Sequence, residues 1–352
     1  MAAPLKNVSE RKELPPLASP PEVSCIDSAI VALPKGAKPE LVNDGKIVKL
    51  RVCGQGDGVD VKEALDIYKI TRLGRKELDK LCTVTELEGK RPAYATVKFT
   101  PKIEKIRRRK GKGDIPANVF DTDDRFIFSD TSFPWRTTGR VWTAKGSGTG
   151  CTIGPRLVLT ASHCVDWKDG NTAGWMKFSP GYNGGNGPWG EFAATNILFW
   201  NKADGPLSDL ETAFDYVVLV MNDTVGDLVG WPGFRTYDTA WNGLSVWQHV
   251  GYPGDLANAQ KPAFQGNCVV STAEDEDLSG QKGLVLGHFN DTTSGHSGGP
   301  LWGWWDNEEW PRVVGVLSAG ASVPKRDTSG DNEFGGGSAL SALISYARSE
   351  HS

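Results

Sequence analysis

The pattern of apolar positions changes character part-way along the chain. From Val119 onward, short runs rich in Val, Leu, Ile and Trp recur at Gly139–Ala144, Arg156–Ala161, Tyr216–Met221, Ser245–Val250, Gly283–Phe289 and Arg312–Ser318. Gly, Pro, Asn and Asp cluster between them. Runs of that length, separated by turn formers, predict antiparallel strands packed as a sandwich or a pair of barrels. The last segment differs. In Ser338–Arg348, Leu340, Leu343, Ile344 and Ala347 fall at helical spacing, and Ser338 follows Gly335–Gly337 as an N-cap. One terminal helix lying on a β body is the prediction.

Upstream the pattern is weaker. Residues 1–24 are rich in Pro, Ser and charge and read as a disordered leader. Residues 25–103 mix short apolar runs such as Ile47–Val52 with a helical pattern near Val61–Tyr68, which suggests a small α+β unit. Residues 104–118 (EKIRRRKGKGDIPAN) are charged and contain glycine, a natural boundary and proteolytic target. The expected organisation is therefore a leader (1–24), an N-terminal unit with its basic linker (25–118) and a β-rich domain (119–352).

Composition sharpens that division. Residues 1–113 carry a net charge of +9 and residues 114–352 one of −13, and all 13 tryptophans lie at Trp135 or later. The only dense basic run, Arg107–Lys110, has no interleaved aromatics. Nucleic-acid binding is therefore not expected, and a basic segment docking on its own acidic domain is the simpler reading. No apolar run approaches the length needed to cross a bilayer, and residues 1–23 lack the apolar stretch of a secretory signal. The six cysteines show no CxxC spacing, so a structural zinc site has no support.

Two segments carry candidate chemistry. The first runs from Gly146-Ser-Gly-Thr-Gly-Cys151 to Leu159-Thr-Ala-Ser-His163-Cys164; the second is Asp291-Thr-Thr-Ser-Gly295-His296-Ser297-Gly298-Gly299-Pro300. A serine hydroxyl needs a base to become a useful nucleophile. Glycines around Ser297 allow a tight turn that exposes it and aims the Gly295 and Ser297 N–H groups at one point, where an oxyanion could bind. A Gly-rich loop of this kind also occurs as an ordinary surface turn, and Gly-His-Ser-Gly-Gly fits the nucleophile elbow of α/β-hydrolase esterases as well. Those esterases need the order Ser, acid, His, but beyond Ser297 the only histidine is His351. His163 instead precedes the serine. Between them, Asp215 opens the apolar run Tyr216–Met221, whereas Asp204 and Asp209 sit in polar sequence. A carboxylate that fixes an imidazole tautomer belongs on a shielded strand, which favours Asp215.

These motifs resemble those of the trypsin-like, chymotrypsin-fold serine proteases, most nearly the branch of the glutamyl endopeptidases. The resemblance runs from about Val119 to the C terminus and rests on the histidine segment, the Asp215 strand and the serine loop in that order. Gly251–Asp255 (GYPGD) and Val314–Gly320 (VGVLSAG) agree with it. The resemblance implies an all-β fold of two antiparallel six-stranded barrels with a C-terminal helix, preceded by a small α+β pro-region. It implies a serine endopeptidase with His163, Asp215 and Ser297 as triad, Gly295 and Ser297 as oxyanion hole, and no cofactor or metal. Ser318, Ala319 and Gly320 would lie beside extended substrate.

It further implies a Cys151–Cys164 disulfide, an oxidising and hence extracellular setting, and a free buried Cys268. The partners implied are protein or peptide substrates and the chain's own N-terminal segment as an intramolecular inhibitor. That segment would be released by cleavage between Arg107 and Val119. A monomer is expected, with no membrane partner. Two departures stand out. His296 precedes the nucleophile where animal trypsins carry the aspartate that pairs with the new N terminus, and Leu317 stands where glutamate-specific members have a histidine. Asp291, six residues before Ser297, is either the base of a pocket for Arg or Lys or a framework residue bound by local N–H groups. The rival classes are an inactive protease-like binding protein and the α/β-hydrolase esterase.

Overall fold

In a computed structural model, the described residues are 2–19, 38–43, 48–53, 67, 69–74, 84–104, 119–120, 122–170, 172–185, 187–320 and 331–351. Among them, in chain order, lie nineteen strands: β1 (Lys38–Asn43), β2 (Val48–Cys53), β3 (Ile70–Arg72), β4 (Glu86–Leu87), β5 (Phe126–Ile127), β6 (Thr138–Thr143), β7 (Gly146–Gly154), β8 (Leu157–Thr160), β9 (Met176–Pro180), β10 (Phe192–Phe199), β11 (Val217–Met221), β12 (Gly233–Arg235), β13 (Ser245–Gly251), β14 (Ala263–Val269), β15 (Thr272–Leu278), β16 (Gln281–His288), β17 (Pro300–Gly303), β18 (Arg312–Gly320) and β19 (Asn332–Gly336). Helices α1 (Asp209–Ala213) and α2 (Val225–Val229) are single turns, and α3 (Ser338–Glu350) ends the chain. No helix among the described residues is long and apolar enough to cross a membrane.

The first barrel has the order β11-β8-β7-β6-β9-β10 and is closed by antiparallel β10–β11 pairing. Its β11 strand shows why a continuous apolar run makes a strand here. Side chains alternate across a sheet, and Val217, Leu219 and Met221 fill the barrel interior while Val218 and Val220 face a second core. Both faces are buried, so no polar position survives. That second core lies between the barrel, the other sheet and α3, whose Leu340, Leu343, Ile344 and Ala347 enter it as the spacing predicted. The N-cap is Gly337, with φ of 91°, and not Ser338, whose hydroxyl reaches the Lys282 carbonyl.

The second unit departs from the expected barrel. It is a ten-stranded sheet in which β15-β16-β19-β18-β17-β13-β14-β5 run in order and β12 pairs with β18 and β4. The described residues of 119–352 are thus mostly β with a terminal helix; they form one closed six-stranded barrel and, together with β4, one larger sheet. The antiparallel ladders leave no place for an α/β-hydrolase core, which needs parallel strands.

The N-terminal residues are where expectation and structure part. Residues 2–18 do not form a loose leader: Leu5 N–H donates to Trp304 O at 2.7 Å, Leu14 pairs with Val97, and Val8 is buried. Nor do the described residues among 67–103 pack as a separate unit. β3 adds a parallel strand to β10, β4 pairs with β12, and Ala95, Val97 and Phe99 form a core with Phe133 and Trp304. The physical reason is apolar burial, since Val97 and Phe133 would otherwise face water. β1 and β2 form a separate hairpin. Of the helix expected near Val61–Tyr68 only Ile67 is described, and it pairs as a β-bridge with Ala173; the linker after Glu104 lies outside the described residues.

Candidate active site

His163 sits in a tight turn, Ser162–Cys164, at the end of β8. The turn is pinned from behind: Ser162 Oγ donates to Asn201 O at 2.9 Å and accepts from Ala203 N–H at 3.1 Å. Asp215 arrives from the adjacent strand, β11, just after α1, whose Ser208–Glu211 capping box fixes its start. Asp215 is fully buried. Its Oδ1 accepts from the His163 backbone N–H at 2.8 Å, and its Oδ2 lies 2.5 Å from His163 Nδ1 and accepts from Ser318 Oγ at 2.6 Å. Three donors converge on one carboxylate. A carboxylate so held fixes the ring orientation and directs the Nδ1 proton toward itself, leaving Nε2 as base. Asp204 and Asp209 do not take part in that contact; Asp204 pairs with Lys145 at 2.6 Å.

Burial disfavours a charged His163, but the Cys164 sulfur and the Asp215 carboxylate beside it outweigh that and raise its pKa. Only the neutral imidazole can accept a proton. The rising limb of kcat/KM against pH, which reports the free protein, should therefore have its midpoint above the ordinary histidine value of about 6.5. A wild-type midpoint at or below the ordinary value would contradict the arrangement.

The serine loop lies between β16 and β17. Gly298 has φ of 84°, and a Cβ there would come within 2.3 Å of Thr149 O, so only glycine fits. Thr149 grips the loop on both sides: its N–H donates to Ser297 O at 2.8 Å and its hydroxyl to Gly295 O at 2.7 Å. The Ser294 carbonyl is turned away to accept from Gly254 N–H at 2.9 Å. In a planar trans peptide C=O and N–H point oppositely, so the Gly295 N–H faces the other way. Neither it nor the Ser297 N–H has an acceptor among the described residues. A Cβ on Gly148 would touch both Ser297 O and Cys164 Sγ at 3.0 Å, which sets the serine beside the histidine turn. Ser297 Oγ itself makes no hydrogen bond to the imidazole. Such contacts commonly tighten only when substrate binds.

The Cys151–Cys164 disulfide is not formed; both are thiols. Alternation along β7 explains why. The residue facing Cys164 is Gly148, whereas Cys151, an odd number of positions further on, points to the opposite face, into the core with Trp135 and Leu159. Burial pushes the Cys151 thiol up to about 12, its hydrogen bond to Thr137 opposing this weakly. Cys268 is buried and unbonded, and burial raises its pKa too. Alkylating the native protein and mapping its peptides should therefore label Cys164, which is partly exposed, and spare Cys151 and Cys268 until unfolding. A cross-linked Cys151–Cys164 peptide would overturn this.

Asp291 is nearly fully buried, and both its oxygens are taken by main-chain donors: Oδ1 by Phe120 N–H at 2.8 Å and Oδ2 by Asp124 N–H at 2.7 Å. That is the framework geometry, not a carboxylate offered to a basic side chain. Ser318, expected beside substrate, turns its hydroxyl to Asp215 instead. Among the described residues, Ala319 and Gly320 pair with β19 on one side only, β17 having ended opposite Val316.

Sequence reasoning missed the Thr149 clamp, because Thr149 sits inside a Gly/Ser run that signals only a turn. It also missed Arg125, which lies in an acidic stretch far in sequence from its partners Asp255 and Thr293.

The site's layout has counterparts. The structure of a Glu endopeptidase in complex with MPD superimposes with a TM-score of 0.52 at 22% identity, over 66% of this chain and all of that one. The fold is trypsin-like. In sequence the chain is similar to the glutamyl endopeptidase of Bacillus licheniformis, being 29% identical to it over 189 residues, 52% of this chain and 54% of that one. A second relative, named an extracellular metalloprotease of Bacillus subtilis, is 34% identical over 132 residues, 36% of this chain and 41% of that one. The chain spans about half the length, or less, of the curated relatives it matches. No family profile matches it. Among the described residues of this trypsin-like chain, no three His, Cys, Asp or Glu side chains are grouped to hold a metal ion.

Proposed function

We propose that the chain is a serine endopeptidase acting through an acyl-enzyme. The observation that carries this is Asp215, fully buried, held by three donors and in contact with His163 Nδ1, on a turn set against the Ser297 loop. His163 would take the Ser297 proton as the hydroxyl attacks the peptide carbonyl, then give it to the leaving amine. The Gly295 and Ser297 N–H groups would receive the developing oxyanion. Extended substrate would lie along the unpaired edge at Ser318–Gly320, adding a strand to β18.

A buried carboxylate already engaged by Phe120 and Asp124 argues against a pocket for Arg or Lys at the cleaved bond. The likeness to proteins named glutamyl endopeptidase makes acidic residues the first alternative to test there, although Leu317 stands where the histidine of glutamate-specific members would be. With the disulfide gone, the support for an extracellular location is the relative that carries that word in its name. A fluorophosphonate probe should label wild-type protein at Ser297, and a peptide library should show endopeptidase cleavage without preference for Arg or Lys. An unlabelled protein would leave the reading of an inactive, protein-binding relative.

A further inference from the structure

Residues 119–120 and 122–125 lie against the serine loop, and the two are tied at both ends of the loop. At its start, Asp291 binds the Phe120 and Asp124 N–H groups, and the Phe120 ring meets Phe289 edge-on at 5.4 Å. Nearer the nucleophile the contact is returned through Arg125, whose side chain is only 1% exposed. Its guanidinium donates to Asp123 Oδ1 at 2.9 Å, to Asp255 Oδ2 at 2.6 Å and to Thr293 Oγ1 at 2.7 Å. The Thr293 hydroxyl in turn donates to Asp255 Oδ1 at 2.5 Å, and the Thr293 N–H donates to His296 Nδ1 at 3.1 Å. One residue before Asp255, Gly254 N–H holds the Ser294 carbonyl. The Gly254 N–H that orients the Ser294–Gly295 peptide thus adjoins a carboxylate, Asp255, held by a single buried cation.

From this juxtaposition we infer that Arg125 is the positioning residue that holds the Gly295 N–H toward the oxyanion site, and that it does so in the uncut chain. A trypsin-type activation switch needs a cation brought to the loop before the nucleophile; here a side chain of the intact chain supplies it. The guanidinium suits the task because its planar fork can bridge two carboxylates and a hydroxyl at once. Without it, Asp123 and Asp255 would repel each other in partly buried positions, and Thr293 would lose the donor that fixes its hydroxyl. The turn from Thr293 to Ser297 would then relax, and the Ser294–Gly295 peptide would be free to rotate. The inference rests on the endopeptidase reading.

The full-length chain is the material for the test. Arg125→Met, which keeps volume and removes the charge, should lower kcat by about two to three orders of magnitude, the scale of losing an oxyanion donor, with KM changed less than about threefold. Affinity for a peptide boronic acid, which mimics the tetrahedral intermediate, should fall by the same factor. Arg125→Lys should recover part of the loss, since it restores charge without the fork. If Arg125→Met fails to fold, Thr293→Val removes only the hydroxyl that joins the cation to the loop, and it should lower kcat about tenfold at constant KM. The probe label should appear on the 352-residue chain by mass. A labelled wild type with either folded variant at unchanged kcat overturns the latch alone. Labelling confined to chains trimmed before Val119 overturns its independence of cleavage. An unlabelled wild type overturns the endopeptidase reading and the latch with it.

Discussion

Ser297→Ala and His163→Ala should each lower kcat by about four to six orders of magnitude while the protein keeps its melting temperature to within a few degrees. The two losses should be alike, and the double variant little worse than either, because the hydroxyl is useless without its base and the base has nothing else to deprotonate. Residual activity would come from the Gly295 and Ser297 N–H groups and from substrate alignment along β18. Both replaced side chains are partly exposed, which is why stability should barely move. Asp215→Ala is a different case. It removes the acceptor of three hydrogen bonds inside a fully buried site, so it should cost stability as well as rate. Retention of more than about a tenth of wild-type kcat in Ser297→Ala or His163→Ala would sink the assignment.

The parts of this site that were legible in the sequence are those whose chemistry and local pattern coincide. Asp215 could be separated from Asp204 and Asp209 because an apolar run follows it, and that run is apolar on both faces since β11 lies between two cores. The glycines around Ser297 signalled a turn, and the positive φ at Gly295 and Gly298 is the reason they are there. What stayed hidden depends on which face a side chain takes in three dimensions. Cys151 looked like a partner for Cys164 until the β7 register put Gly148 opposite the sulfur instead. Arg125 lies in an ordinary-looking acidic stretch, and its partners Asp255 and Thr293 are 130 and 168 positions away. In the second sheet β4, β5 and β12 join seven longer strands, β13 to β19, and strands of two or three residues leave little period to read.

The same blindness governs the N-terminal third, where basic charge and a sharp change in composition suggested a detachable pro-segment. Residues 119–352 expressed alone should fail to give a stable, active protein. The packing argues for it: Ile67, Leu73, Ala95, Val97 and Phe99 are all at most 4% exposed, and they cover Phe133, Trp304 and the outer strand of the first barrel. Losing a buried aliphatic or aromatic side chain costs about 2–5 kcal/mol, so several together match or exceed the roughly 5–15 kcal/mol that holds a domain folded. Polar losses add to this. The Phe99 carbonyl accepts from Gln248 Nε2 at 2.9 Å, and that same buried glutamine accepts from Trp302 and Trp304 through its Oε1, at 3.1 and 3.0 Å. Truncation would leave Gln248 half-satisfied in the core of β13 and the tryptophans beside it wet. Strand edges on β10 and β12 would also open, inviting aggregation. A single cut introduced between Arg107 and Val119 should have a contrasting effect, since it removes none of these contacts. The two fragments should co-elute on size exclusion, melt as one unit and retain activity within about threefold of the intact chain. Soluble, fully active 119–352, with a melting temperature near that of the whole protein, would show instead that the N-terminal residues are dispensable and restore the reading of a pro-segment that is shed.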